Sequence, residues 1–174
     1  IIISGKRFNN ELGGIESGTF HKIIPIKKNN LLLSEVERKN IIKHEIKEYL
    51  KKIIKLDKQI ILMYPIPENG WNVPKTYARY LRFHGEIKDN LFIKYKTFEN
   101  RTEESNLLLD EISEMESLKK IIQIKPSEHL CKSDINKKCI AFYKNKVLYY
   151  DDDHLNIIGA DFLIDKISDQ IFFD

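Results

Sequence analysis

The sequence predicts an α/β protein, a three-layer α/β/α sandwich with a mainly parallel sheet. Short apolar runs that are typical of buried strands alternate with longer segments whose apolar residues recur at helical spacing. This alternation favours parallel strands joined by crossover helices. The length of 174 residues suits one domain with its own core, so we predict a single domain over residues 1–174.

The first element is the run Ile1-Ile2-Ile3-Ser4-Gly5, whose β-branched residues predict a buried strand. A natural chain rarely begins inside a core strand. We therefore expect this sequence to be part of a longer protein, truncated at its N-terminal side and lacking the first strand–helix unit of its domain.

A helix and a second strand are predicted next. Ser34 and Glu37 form a capping box, and apolar residues between positions 42 and 54 recur at helical spacing. These two features predict a helix over 34–56. Residues 59–64 are almost all apolar and are followed by Pro65, as expected of a strand that is buried on both faces.

The second half of the chain continues this alternation. We predict a loop over 65–74, a short helix ending near Arg82, a helix over 102–119, a strand over 121–124, a hairpin that pairs 140–143 with 147–150, and a last helix capped by Asn156. The start and end of the helix over 102–119 are set by charges that suit the helix dipole: Glu103, Glu104, Lys119 and Lys120.

Composition and charge exclude some classes of protein. The chain is 42% apolar and 32% charged, and no apolar run approaches the roughly 18 residues that a membrane helix needs. A nucleic-acid surface would concentrate basic residues together with aromatic ones, and the net charge is only +3. We predict a solvated helix face and no nucleic-acid partner for the lysines that recur on the first helix: Lys39, Lys43, Lys47, Lys51, Lys52 and Lys55.

The two cysteines, Cys131 and Cys139, leave two interpretations open. A disulfide between them would close a short loop, contribute roughly 2.5 kcal/mol and indicate an oxidising compartment. Two free buried thiols in a cytosolic protein would fit the sequence as well. Zinc is disfavoured, because His129 is the only additional ligand nearby and the spacing matches no common zinc site.

The candidate site is the run Asp151-Asp152-Asp153-His154, where a strand-like segment passes into the last helix. In parallel α/β folds, ligands bind at the carboxyl ends of the strands. An Asp three residues before a His can accept a hydrogen bond from the imidazole and fix its tautomer. The His then serves as a general base toward a serine hydroxyl.

Two other interpretations of these residues stay open. Three aspartates before a helix also favour its N-terminus electrostatically, which would leave His154 without a role. Clustered carboxylates with a His also suit Mg²⁺ or Mn²⁺, as in a metal-dependent phosphatase that uses Asp151, Asp152 and Asp153. Adjacent carboxylates rarely converge on one ion, and we predict neither a metal nor a cofactor.

The run Tyr-Tyr-Asp-Asp-Asp-His-Leu-Asn at 149–156, followed by Gly159-Ala160, resembles the last motif of SGNH hydrolases, an Asp-x-x-His. It is most similar to the C-terminal SGNH domain of acyltransferase family 3 membrane proteins, of the O-antigen and peptidoglycan O-acetyltransferase type. The cysteine pair before the motif and the proline-rich loop over 64–74 agree with this resemblance, which covers roughly residues 59–170 and, more weakly, residues 1–8.

The resemblance implies an SGNH/flavodoxin-like fold and a serine-dependent O-acyltransferase or esterase, with Asp151 and His154 as the acid–base pair. It implies a disulfide between Cys131 and Cys139 and a periplasmic location, on the extracytoplasmic face of the bacterial inner membrane. It further implies O-acetylation of cell-envelope polysaccharide, with an acyl donor delivered by a membrane acyltransferase portion of the same protein and a sugar hydroxyl as acceptor.

The chain departs from this family at the nucleophile and at the oxyanion hole. The family's serine lies in a Gly-Asp-Ser, and no Gly-Asp-Ser occurs in residues 1–174. Gly5-Lys6-Arg7 does not match the family's Gly-x-Asn-Asp, so Asn9 or Asn10 would have to supply the amide. We expect the serine to lie outside this chain, which is then inactive alone. The alternative is a non-catalytic carbohydrate- or protein-binding module on the same fold.

Overall fold

The computed structural model describes residues 2–4, 27–28, 31–56, 58–85, 92–115, 121–132 and 138–172. The helices are α1 (Glu35–Ile54), α2 (Val73–His84), α3 (Tyr95–Ser113), α4 (Ser127–Leu130) and α5 (Ile157–Phe172). The strands are β1 (Ile2–Ser4), β2 (Lys27–Lys28), β3 (Leu31–Leu32), β4 (Ile60–Met63), β5 (Phe92–Lys94), β6 (Ile121–Ile124), β7 (Cys131–Lys132), β8 (Lys138–Ile140), β9 (Phe142–Tyr143) and β10 (Lys146–Val147).

The central sheet is parallel and has the order β1-β4-β6. The middle strand, β4, pairs with both neighbours, so that Ile61 lies opposite Ile2 on one side and Ile122 on the other. Helices lie in the connections from β1 to β4 and from β4 to β6, as the parallel arrangement requires. The prediction of a mainly parallel sheet is confirmed.

Successive side chains of β4 point to opposite faces of the sheet, and helices cover both faces, which gives three layers. Ile60, Leu62 and Tyr64 pack against α1 and α3, in one core cluster. Ile61 and Met63 point to the opposite face, where they pack with Leu163 and Ile167 of α5. Successive side chains of a strand point to opposite faces, so a continuous apolar run is needed to bury both faces of the sheet. The predicted α/β/α arrangement is therefore confirmed.

Three of the lysines of α1 form ion pairs with glutamates of α3. Lys39 Nζ is 2.6 Å from Glu104 Oε2, and Lys47 Nζ is 2.5 Å from Glu111 Oε1. Lys43 also forms an ion pair with Glu111. Half-exposed pairs of this kind contribute less than about 1 kcal/mol each. They nevertheless show that this helix face, predicted to be solvated, pairs in part with a neighbouring helix.

The predicted start of α3 was wrong. The helix begins at Tyr95, seven residues before the predicted start at residue 102, so Glu103 and Glu104 lie within it. Thr102 and Ser105 are buried in α3, and polar residues on the buried face hide its helical period. The Thr102 hydroxyl is satisfied within the helix, because it donates to the carbonyl oxygen of Phe98 at 3.0 Å.

A second, antiparallel sheet carries the cysteines. Its order is β5-β8-β7, and Cys131 lies directly opposite Cys139 in the register of β7 with β8. The two cysteines form a disulfide, which decides between the two interpretations that the sequence left open. Ile93 and Phe98 pack against this disulfide and bury it.

The predicted hairpin is present as β9 and β10, with Tyr143 opposite Lys146. Its strands are shorter than predicted and its turn has two residues. Lys144 and Asn145 have φ angles of 47° and 60°, which are the left-handed values of a type I′ turn. Within the described ranges, no helix is both long and apolar enough to cross a membrane. Lys119, Lys120 and residues 5–10 lie outside those ranges.

Candidate active site

The site is a five-residue loop, residues 150–154, within the connection from the hairpin to α5. Tyr149 and Leu155 form an antiparallel bridge at its base, and the backbone N–H of Tyr150 donates to the carbonyl oxygen of His154 at 2.7 Å. These bonds close the loop, so Asp151, Asp152 and Asp153 occupy its tip.

Asn156 attaches this loop to both neighbouring elements. Its Oδ1 accepts from the backbone N–H of Gly159 at 3.0 Å, which confirms the predicted helix cap. Its Nδ2 donates to the carbonyl oxygens of Val147 at 2.8 Å and of Tyr149 at 3.3 Å. The side chain therefore fixes where α5 begins relative to the hairpin.

The segment that follows β4 is hydrogen-bonded to the site loop. The backbone N–H of Asn69 donates to the carbonyl oxygen of Asp152 at 2.8 Å, and that of Val73 donates to the carbonyl oxygen of Asp151 at 3.0 Å. The Tyr149 hydroxyl donates to the carbonyl oxygen of Pro67 at 2.8 Å. Burial raises the pKa of Tyr149, which keeps the hydroxyl protonated as a donor.

Asp151 and His154 contact each other as the sequence predicted. His154 Nδ1 lies 2.9 Å from Asp151 Oδ2 and 3.2 Å from Asp151 Oδ1. A carboxylate only accepts hydrogen bonds, so this contact requires a proton on Nδ1. In the neutral imidazole that leaves Nε2 unprotonated, as a general base requires. The His154 side chain is 66% exposed, so a substrate can reach it.

The loop backbone stabilises the ionised form of Asp151. Partial burial by itself raises the pKa of a carboxyl group, but two backbone N–H groups act in the opposite direction. Asp151 Oδ1 accepts from the N–H of Asp153 at 3.0 Å and from that of His154 at 2.8 Å. Together with the His154 side chain, they lower the pKa of Asp151 to about 2. Asp151 is thus a fixed anion at neutral pH.

Asp153 is a second partner of the imidazole that the sequence did not reveal. Its Oδ1 lies 2.7 Å from His154 Nδ1, and its side chain is 18% exposed, compared with 28% for Asp151. Adjacent residues in an extended segment point apart, so spacing along the chain gave no reason to place Asp153 against its neighbour. The tight turn of the loop brings the two side chains together.

The same atoms offer a place for a cation. Asp151, Asp153 and His154 each present a ligand atom, and these atoms lie within 4.8 Å of one another. Asp152, which the sequence interpretation included, is not part of this group. A cation bound through Nδ1 would displace the hydrogen bonds that His154 makes with the two carboxylates.

His154 borders an apolar cleft between the end of β4 and α5. The cleft has a volume of about 340 Å³. Its polar lining comes from Asp153 and His154, and the remaining lining residues are Met63, Ile66, Leu155, Ala160, Leu163, Ile164 and Ile167. A group that reaches His154 from this side therefore meets hydrocarbon on most of its surface.

Other residues near the sheet or considered for the oxyanion hole add no group to the Asp–His pair among the described contacts. Trp71 packs against two buried clusters, one around Val73 and one around the disulfide. Gly5-Lys6-Arg7, Asn9 and Asn10, which were considered for the oxyanion hole, lie outside the described ranges.

The fold and the site define the class of protein: a parallel α/β/α domain with an Asp–His pair in the loop that precedes its last helix. A family model described as "SGNH domain (fused to AT3 domains)" matches residues 1–169. The chain therefore belongs to this SGNH domain family, as the resemblance of residues 149–160 indicated.

Solved structures contain a similar fold. The periplasmic domain of a lipopolysaccharide acetyltransferase from Salmonella ser. Paratyphi A matches with a TM-score of 0.52 and 23% sequence identity. The match covers 72% of this chain and 47% of that one, so the chain spans about half the length of this relative. A comparison with curated proteins finds no match.

Proposed function

We propose that this domain takes part in serine-dependent acyl transfer to cell-envelope polysaccharide, as an O-acyltransferase or ester hydrolase. The observation that carries the proposal is the 2.9 Å contact between His154 Nδ1 and Asp151 Oδ2 in a chain of the SGNH family. This contact leaves Nε2 of an exposed imidazole available as a base.

In the proposed mechanism, Nε2 of His154 takes the proton of a serine hydroxyl while the serine Oγ attacks the acyl carbonyl carbon. His154 then gives this proton to the departing group, and an acyl-serine remains. A sugar hydroxyl or water attacks the acyl-serine while His154 takes its proton; the bond between the acyl carbon and the serine Oγ then breaks, and His154 returns the proton to the serine. Asp151 keeps the imidazole oriented and stabilises its protonated form during both steps.

The serine lies outside residues 1–174 in this proposal, because the sequence contains no Gly-Asp-Ser. The family description supports a membrane acyltransferase portion as the source of the acyl group, since it names a fusion to AT3 domains. The relative from Salmonella is called a periplasmic domain of a lipopolysaccharide acetyltransferase, which supports a polysaccharide acceptor and an extracytoplasmic location. The Cys131–Cys139 disulfide also favours an oxidising compartment.

The test is hydrolysis of a chromogenic acetate ester by the full-length protein that contains this chain. We expect His154→Ala to lower kcat/KM by at least about a thousandfold, because the serine loses its base. His44→Ala is the matched control: His44 is exposed on α1, in the layer on the opposite side of the sheet from α5, and its removal is expected to leave activity unchanged. Equal activity of His154→Ala and the wild type would refute the proposal.

The same assay distinguishes metal-dependent hydrolysis. Asp151, Asp153 and His154 present atoms that a cation can use, and a phosphatase built on them would lose activity on chelation. Acyl transfer through a serine needs no ion. We expect the esterase activity of the full-length protein to be unchanged by a strong chelator.

The missing Gly-Asp-Ser also supports a second candidate, a carbohydrate- or protein-binding module on the same fold. This candidate predicts that the complete gene encodes no Gly-Asp-Ser and that full-length protein has no esterase activity. It further predicts that the 174-residue chain binds envelope polysaccharide and that His154→Ala leaves this binding intact.

A further inference from the structure

We propose that Asp153 is a positioning residue for His154, which shares the Nδ1 proton with Asp151 and holds the imidazole in the same tautomer. This inference rests on the proposed role of His154 as the base. It adds a residue that the Asp-x-x-His spacing does not include.

The inference rests on the distances from His154 Nδ1 to the two carboxylates. Asp153 Oδ1 is 2.7 Å from His154 Nδ1, at least as close as the 2.9 Å of Asp151 Oδ2. Both distances lie within the range of charge-assisted hydrogen bonds. Nδ1 of His154 thus lies within 2.9 Å of carboxylate oxygens from two residues, so its proton has an acceptor on each of them within reach.

The two carboxylates differ in their other hydrogen bonds and in their exposure. Asp151 Oδ1 accepts from the backbone N–H groups of Asp153 and His154, so its carboxylate shapes the turn as well as facing the imidazole. The Asp153 side chain is the more sheltered of the two and borders the same cleft as His154. Because its own backbone N–H is bound to Asp151, the position of Asp153 depends on the turn that Asp151 maintains.

Because both carboxylates face Nδ1, each can hold the imidazole tautomer when the other is replaced. An asparagine at position 151 keeps an acceptor for the two backbone N–H groups, but its Nδ2 can face His154 Nδ1 and favour the Nε2–H tautomer, which cannot act as a base. A second carboxylate at Asp153 opposes this change. Either aspartate alone is therefore sufficient to keep the proton on Nδ1. When both carboxylates are removed, the imidazole no longer prefers the Nδ1–H tautomer.

The test measures the tautomer directly in the 174-residue chain and needs no catalysis. With ¹⁵N-labelled histidine, the long-range ¹H–¹⁵N spectrum shows which ring nitrogen carries the proton, at about pH 9, well above the ordinary imidazole pKa of about 6.5. We expect the Nδ1–H form in the wild type, in Asp151→Asn and in Asp153→Asn. In the double variant we expect this preference to be lost.

Asp152→Asn is the matched control, because Asp152 belongs to the same loop but not to the group of atoms around Nδ1. It is expected to keep the wild-type tautomer, alone and in combination with Asp151→Asn. Backbone amide spectra of each variant report whether the loop is still folded, so a lost tautomer is not confused with a lost turn.

The outcomes separate this inference from the proposed function. If Asp151→Asn alone loses the Nδ1–H form to the same extent as the double variant, the role of Asp153 is refuted while the Asp151–His154 pair stands. If the double variant keeps that form, the role is also refuted. If the wild type lacks it, the orientation proposed for His154 fails as well. In the full-length esterase, we expect Asp151→Asn to retain at least about tenfold more activity than the double variant.

Discussion

The backbone N–H of Val73 donates a hydrogen bond to the carbonyl oxygen of Asp151, with an N···O distance of 3.0 Å. Val73 begins α2, and Asp151 begins the turn that carries His154. The bond therefore joins the connection that follows the central strand β4 to the residue that orients the imidazole. Disturbing the elements around this junction should therefore lower the stability of the domain.

Asn156→Ala should lower the free energy of unfolding by about 2 kcal/mol, because the variant loses the cap of α5 and two hydrogen bonds to the hairpin. Asn156→Ser is the informative comparison, since serine keeps a cap acceptor but cannot make both amide donations. Urea unfolding should give the stability order wild type, Asn156→Ser, Asn156→Ala. If Asn156→Ala is as stable as the wild type, the bridging role is wrong.

Gly159→Ala should destabilise the domain by about 1–3 kcal/mol, although the same change in an ordinary exposed helix stabilises by about 1 kcal/mol. The added methyl group would overlap the backbone carbonyl oxygen of Leu148, so the backbone must shift, and the hydrogen bond that this oxygen accepts from the N–H of Asn156 opposes that shift. Gln170→Ala, at an exposed position of α5, is the control and should be nearly neutral. A stability gain in Gly159→Ala would show that α5 does not press against the hairpin.

Asp151 should make the stability of the domain depend on pH in the acidic range. Its pKa is lowered from an ordinary value of 3.8 to about 2 in the folded state, so folding favours the ionised form. The resulting stabilisation, about 2 kcal/mol, is complete above about pH 4 and is lost as the pH falls through about 2.

The measurement for this prediction is urea unfolding of the wild type and of Asp151→Asn between neutral pH and about pH 2. The stability difference between the two proteins should shrink steadily as the pH falls below about 4, because Asp151 of the wild type then becomes protonated. A difference that stays constant over the whole range would contradict the lowered pKa of Asp151.

Reduction of the Cys131–Cys139 disulfide should lower the free energy of unfolding by roughly 2.5 kcal/mol, because the bond closes a short loop and restricts the unfolded chain. Thermal unfolding with and without a reductant measures this change. The double variant Cys131→Ala with Cys139→Ala should unfold at the same temperature in both conditions. If the wild type is equally insensitive to the reductant, the bond contributes no stability.

The sequence by itself determined the features that depend on local interactions. The capping box of Ser34 and Glu37, the Asn156 cap and the burial of β4 on both faces all follow from groups a few residues apart, whose geometry is set by the helix or strand itself. The contact between Asp151 and His154 belongs to the same class, because a three-residue separation within a tight turn brings their side chains together.

The tertiary structure alone decided what depends on distant segments. The Tyr149 hydroxyl reaches the carbonyl oxygen of Pro67 across 82 positions of the chain, and no local spacing encodes such a contact. The early start of α3 was hidden because packing buries Thr102 and Ser105, whose polar character conceals the helical period. Asp153 turns toward His154 because the loop is closed from both sides, and only the folded loop brings both carboxylates to one imidazole nitrogen.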